Sequence, residues 1–236
     1  MTDRLGVSCQ LVPEAREYLS GQFVESQFQE PHPGQRWSQF RDIWKAQVAM
    51  ADFWLVRHGQ TDWNRAGRWQ GQTLSAPPLN DTGRAQALAV CDQLMGLEFS
   101  AIYSSDLLRS RQTAELIAEG LRLPIVLEPR LREMNLGAWE GRLSEEIEAE
   151  YSRELVERGC DPLNMRAPQG ESPRDVAERV IPALAEIAAK HREKSVLIIS
   201  HGIPLALMAC CAQGISLEKV YENIPRSAEP FRLEWR

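Results

Sequence analysis

Several things are scarce in this sequence, and each scarcity excludes a class of protein. Only five of its 236 residues are cysteine (Cys9, Cys91, Cys160, Cys210 and Cys211), an odd number with no C-x-x-C pair. That argues against a disulfide framework and against a zinc ribbon, and favours small buried thiols in a reducing compartment. No apolar run is long enough to span a bilayer. The first residues carry Thr2, Asp3 and Arg4 and no apolar core, so a secretory signal is not indicated and a cytoplasmic location is expected. Positive charge is not in excess. Lys plus Arg is 27 and Asp plus Glu is 33, giving a net charge of −6 and predicting no broad contact with nucleic acid or an anionic membrane. Histidine is rare too, with four in the chain.

What is present is an ordinary globular composition, 43% apolar and 25% charged, in a chain long enough for a sizeable core. Two parts differ. Residues 1–50 hold Gln, Glu, Pro and scattered aromatics, with Trp37, Phe40 and Trp44 spaced for one face of a short helix over 37–48. They read as an N-terminal extension of unknown role, able to pack on the main domain, on a partner or in a homo-oligomer. Residues 51–236 read as one main domain, in which strand and helix alternate.

In that domain 53–56, 101–104, 125–127, 195–199 and 231–235 are strand candidates, and 195–199 is the strongest, an aliphatic run of the buried parallel kind. Residues 80–95 show helical spacing, with Asn80 or Asp81 as the cap, and Asp106 is expected to cap the helix that carries Arg109. Residues 144–158 read as one charged surface helix and 159–170 as a loop. Ser172, Pro173 and Asp175 give a good helix start, and Pro182 predicts a kink. The order implies an α/β fold with a mostly parallel central sheet and helices on both faces.

Two strands end in similar words: Leu55-Val56-Arg57-His58-Gly59 and Ile198-Ile199-Ser200-His201-Gly202. Each sets a histidine just past the carboxyl end of a strand, the edge at which open α/β sheets bind ligands. The following glycines are expected to let backbone approach a ligand closely. A lone histidine there is more often structural; two in matching places weaken that reading. No third ligand stands at a familiar spacing, so metal ranks low and none is expected. Arg57 sits at a strand end and Arg109 at a helix start, and both suit an anion. Arg84 and Arg111 read as solvated helix faces. Glu133, between a short strand and a glycine-rich stretch, is placed to protonate a leaving oxygen.

These residues together resemble the histidine phosphatase superfamily, the phosphoglycerate-mutase-like group. The resemblance rests on Arg57-His58-Gly59-Gln60-Thr61 with Asn64, on Arg109 before Gln112-Thr113-Ala114, on Glu133 before Gly137-Ala138-Trp139-Glu140-Gly141, and on Ser200-His201-Gly202. It runs from about residue 53 to the end. It implies that His58 is the nucleophile that becomes phosphohistidine, and that Glu133 is the proton donor and then the base. It also implies that Arg57, Arg109, His201 and Asn64 hold the phosphoryl group. Gln70 and Gly71 match a segment lining the substrate side, and Gly202 follows the second histidine. Gln60-Thr61-Asp62 departs from the acid-phosphatase branch, and Ser110 stands where alanine is common.

The resemblance further implies chemistry without a cofactor, on a small-molecule phosphate ester. The 134–200 segment is short, with little room for a large lid, which favours a phosphatase close to broad-specificity and α-ribazole phosphatases. A phosphoglycerate-mutase-type transfer and a phosphate-recognising regulatory protein are the alternatives. Contacts to the leaving group are expected from Trp63, Trp69, the 134–171 segment and the loop near Ile203, with Trp69 and Arg166 as candidates; a packed tryptophan and a solvated arginine are the plainer readings.

Overall fold

The computed structural model describes residues 51–235. The expected helix over 37–48 and the rest of the extension lie outside the described residues, as does Cys9. Strand β1 is Ala51–Arg57, β2 Ala101–Ser104, β3 Ile125–Leu127, β4 Ser195–Ser200 and β5 Phe231–Trp235. They form one sheet in the order β3-β2-β4-β1-β5. All neighbours pair in parallel except β5, which runs antiparallel to β1 at the edge. β4 is central, which is why its residues from Val196 to Ser200 are all buried.

Period-two alternation along the strands divides two cores. Val56, Leu197, Ile199 and Ile102 face helix α2 (Asp81–Leu94) and helix α3 (Leu108–Leu121), where they meet Val90, Leu94, Ala114 and Ile117. The alternate residues Phe53, Leu55, Val196 and Ile198 are equally buried. They belong to the opposite face, where helix α6 (Pro173–Lys190) packs on helix α7 (Gly202–Gln213). α7 needs no amphipathic stripe, because nearly all of it is covered.

Several boundaries follow local chemistry. Asn80 caps α2 through Gly83 N at 2.9 Å. Ser172 caps α6, with Asp175 returning a bond to Ser172 N at 2.7 Å, and α6 continues as one helix across Pro182. Three expectations are corrected. Asp106 does not cap α3: its carboxylate is engaged by Arg132, Nε to Oδ1 at 2.6 Å, and Leu107 stands at the cap position with no side-chain bond. The charged stretch 144–158 is two helices, α4 (Ser144–Glu150) and α5 (Ser152–Cys160), broken at the non-helical Tyr151. Not every cysteine is buried: Cys91 and Cys210 are, whereas Cys160 is exposed. No described helix is long and apolar enough to cross a membrane.

Candidate active site

The register of the sheet assembles the site. Arg57 pairs with Ser200 across β1 and β4, so the next residue of each strand, His58 and His201, emerges side by side. Their ring centroids are 5.1 Å apart. His58 Nδ1 lies 2.8 Å from the Gly59 carbonyl, which can only accept. The ring proton is therefore on Nδ1 and the Nε2 lone pair is free of it. Arg109 Nε donates to that Nε2 at 3.1 Å, while its Nη2 donates to Gly71 O at 2.9 Å.

A contact between two backbones fixes the Gly59 carbonyl. A Cβ on Gly59 would lie 2.4 Å from Gly83 O, and one on Gly83 would lie 2.1 Å from Gln60 O. Gly59 is thus needed for close approach to the start of α2, rather than for approach to a ligand as the sequence suggested. Gly59 N donates to Thr113 Oγ1 at 3.1 Å, and that hydroxyl donates to Arg109 O at 2.8 Å, tying the His58 loop and Arg109 together.

Glu133 stands at the N-terminus of α7. Its Oε2 accepts from Gly202 N at 2.9 Å and its Oε1 from Met134 N at 2.8 Å and Ile203 N at 3.3 Å. Its own backbone carbonyl accepts from Arg179 Nη2 and from Gln72 Nε2, both at 2.8 Å. Glu171 holds both donors, at 3.0 Å from Arg179 Nη2 and 3.2 Å from Gln72 Nε2. Arg57 Nη1 donates to Pro225 O at 3.0 Å.

The electrostatics are those of a dry cationic floor. Burial first, then Arg109, holds both His58 and His201 well below the usual imidazole range, so both are neutral near pH 7. Burial lowers Arg109 to about 10, which leaves it charged. Four buried side-chain polar atoms among the described residues lack a partner. Three belong to this site: Arg57 Nε, Gln70 Oε1 and His201 Nδ1. Buried polar atoms are rarely left unpaired, and of these Arg57 Nε is a donor on a residue that lines the cavity, suited to an oxygen of a ligand. Among the described residues no group of His, Cys, Asp or Glu is arranged to hold a metal ion.

A cavity of about 370 Å³ opens over this floor. Arg57, His58, Asn64, Gln70, Gly71, Arg109 and Glu133 line it. His201 and Gly202 do not. His201 is completely buried behind His58 with Nε2 2.8 Å from Ser105 Oγ, and Gly202 acts through its N–H on Glu133. Asn64 also closes a capping box with Thr61, N to Oγ1 at 3.2 Å. Trp69 is on the wall; Trp63 packs near Gly141, and Arg166 pairs with Asp175 at 3.1 Å away from it. Arg68, Arg158, Tyr221 and Ile224 also line the wall, none of them singled out by number in the sequence. Arg158 looked like one more charge on a surface helix, and only the third dimension distinguishes it.

A sequence model of the histidine phosphatase superfamily, branch 1, matches residues 53–235. Phosphoserine phosphatase 1 of Hydrogenobacter thermophilus is 35% identical over 167 residues, covering 71% of this chain and 78% of its own. A protein of Escherichia fergusonii named a probable phosphoglycerate mutase, GpmB, is 41% identical over 170 residues, 70% of this chain and 76% of its own. Among solved structures, a mycobacterial glucosyl-3-phosphoglycerate phosphatase in complex with VO3 superposes with a TM-score of 0.70 at 30% identity, over 77% of this chain and 90% of that one. The α-ribazole phosphatase of Shigella flexneri gives 0.70 at 26% identity, over 77% and 89%.

Proposed function

The chain belongs to the histidine phosphatase superfamily and is an enzyme of that phosphatase type, and we propose that it hydrolyses small phosphate monoesters through a phosphohistidine on His58, without a metal. One observation carries this reading: Nδ1 of His58 is held by the Gly59 carbonyl, so Nε2 is the nucleophilic nitrogen, set beside the Arg109 guanidinium.

In the first step Nε2 attacks phosphorus and the bond from phosphorus to the ester oxygen breaks. Glu133, protonated, gives its proton to that oxygen and the alcohol leaves. The ring becomes cationic, and Gly59 O stabilises its Nδ1–H. Arg109 and Arg57 take up the charge spread over the equatorial oxygens, as fixed cations in a dry site do well. In the second step water attacks the same phosphorus, its proton passes to the Glu133 carboxylate, and the P–Nε2 bond breaks. Phosphate leaves with the enzyme restored. The covalent route divides one difficult displacement into two easier ones. Neutrality of His58 supports it, because a protonated imidazole has no lone pair to offer.

The names of the relatives favour a second reading, transfer of the phosphoryl group back to a bound phosphoglycerate. The short segment between Glu133 and His201, made of two short helices, a loop and α6, supports hydrolysis instead. Purified protein in EDTA, given 3-phosphoglycerate with and without 2,3-bisphosphoglycerate, tests both. Phosphate release that His58→Ala abolishes is expected. Isomer exchange without net release would establish the transferase reading in its place.

A further inference from the structure

Among the described residues the cavity wall carries four arginines, Arg57, Arg68, Arg109 and Arg158, against one carboxylate, Glu133. A phosphate monoester accounts for Arg57 and Arg109. Arg68 is committed elsewhere, to Gly141 O at 2.7 Å and close to Glu146 at 3.9 Å. Arg158 is not. Its guanidinium carbon lies over the rings of Trp69 and Tyr221, 5.2 Å and 5.1 Å from their centroids, in cation–π contact. Three other half-buried arginines of this domain meet an acid: Arg132 with Asp106, Arg179 with Glu171, Arg130 with Glu128. For Arg158 no acid and no hydrogen-bond acceptor fills that place among the described residues.

Stacking on ring faces occupies the plane of a guanidinium and leaves its N–H edge for an anion. Burial pushes the Tyr221 phenol up to about 12, so the ring beside Arg158 remains a neutral donor over the working range. An in-line displacement sends the leaving oxygen away from His58; His58 and Arg109 are buried, whereas Trp69, Arg158 and Tyr221 line the less buried part of the same cavity.

We infer that Arg158 is a specificity-determining residue that binds a second anionic group, a carboxylate or another phosphate, on the leaving group of the substrate. This rests on the proposed hydrolysis for its setting, though not for its test. Arg158 then contributes to binding of the leaving group, and the preferred substrates are phosphorylated acids or bisphosphates rather than esters of neutral alcohols.

Matched substrates test it. 3-Phosphoglycerate and glycerol 3-phosphate differ by a carboxylate against a hydroxymethyl group; fructose 1,6-bisphosphate and fructose 6-phosphate differ by one phosphate. Wild type is expected to favour one of the anionic members in kcat/KM. Arg158→Met, which keeps the length and apolar stem, is expected to reduce that preference by about tenfold, mostly through KM, the size of one charge-assisted hydrogen bond. Arg158→Lys should restore part of it. The pair that responds identifies the anion as carboxylate or phosphate. An unchanged ratio in both pairs, with activity on all four substrates reduced alike, would make Arg158 a packing residue and overturn the inference. Should wild type hydrolyse none, the proposed function fails while the inference is read from thermal shift. The anionic member must then raise Tm more than its partner in wild type and not in Arg158→Met; equal shifts sink it.

Discussion

The floor of the cavity and its mouth hold their side chains in opposite ways. On the floor, His58, Arg109 and Glu133 are each anchored by backbone groups: the Gly59 carbonyl, the Gly71 carbonyl, and the amides of Met134, Gly202 and Ile203. At the mouth, Arg158 is held by ring faces, and Trp69 by one side-chain bond, Nε1 to Ser144 Oγ at 2.9 Å. Backbone anchors come from loops and from the first turn of α7, and cannot be adjusted residue by residue. Side-chain anchors on short helices can be exchanged while the fold stays. A fold of this design keeps its phosphoryl chemistry constant and varies what it acts on, since site chemistry is separable from architecture.

The largest expected effect breaks the floor. His58→Ala removes the proposed nucleophile and should lower kcat on the order of a thousandfold or more, while Glu133→Gln should lower it by about a hundredfold or more. Steady-state phosphate release measures both. The loss should be the same for anionic and neutral leaving groups, because both share the phosphoryl step. A loss confined to one class would deny the division between floor and mouth.

Next comes the backbone contact beneath the nucleophile. Gly83→Ala places a Cβ 2.1 Å from Gln60 O. Backbone must shift, at a cost of about 1–3 kcal/mol, more than the roughly 1 kcal/mol that alanine returns in helix propensity. A lower denaturation midpoint is expected, and a lower kcat, since the shift moves the Gly59 carbonyl that orients His58. Unchanged kcat at reduced stability would show that His58 is oriented by something else.

Acid should also separate the regions. His58 and His201 are held below the ordinary value of 6.5 in the folded protein, and His191, near Tyr103, is lowered too. Below about pH 6.5 the unfolded chain takes up protons that the fold refuses, so stability is complete above that pH and falls as pH falls. Asp106 and Glu128 are also lowered, from 3.8 and 4.5, so their contributions are lost only further into acid. Guanidinium midpoints should therefore decline between pH 7.5 and 5.5, and His191→Gln should leave most of that decline, since the floor histidines are the more deeply buried. A flat profile would mean that the floor does not hold its imidazoles neutral.

How much of this was legible in the sequence follows the same division. The strands, the caps at Asn80 and Ser172 and the paired histidines are local patterns, and the floor is built from local patterns brought together by register. Asp106 misled because a side-chain acid beside a helix start has two outlets, and Arg132, distant in sequence, took it. The break at Tyr151 was hidden in a run of good helix formers. Arg158 and Tyr221 were missed because stacking between residues 63 positions apart has no periodicity to betray it. Gly170-Glu171-Ser172 resembles a family segment near the site, but nothing local shows that Glu171 holds the donors to the Glu133 carbonyl.

The smallest effect tests whether the mouth helix matters as a scaffold or only through Arg158. On α5, Arg153 and Glu157 form an i,i+4 pair at 3.2 Å, with 88% and 55% of their side chains exposed. Such a pair contributes about 0.5 kcal/mol or less, and salt screens it. Glu157→Ala should therefore change the denaturation midpoint barely measurably. It should also leave the preference between 3-phosphoglycerate and glycerol 3-phosphate as in wild type, because Arg158 is positioned by Trp69 and Tyr221 and not by its own helix surface. A change in preference without a change in stability would place the orientation of Arg158 in the charge pattern of α5. The mouth would then be tuned by field rather than by stacking, and the contrast with the backbone-anchored floor would be sharper still.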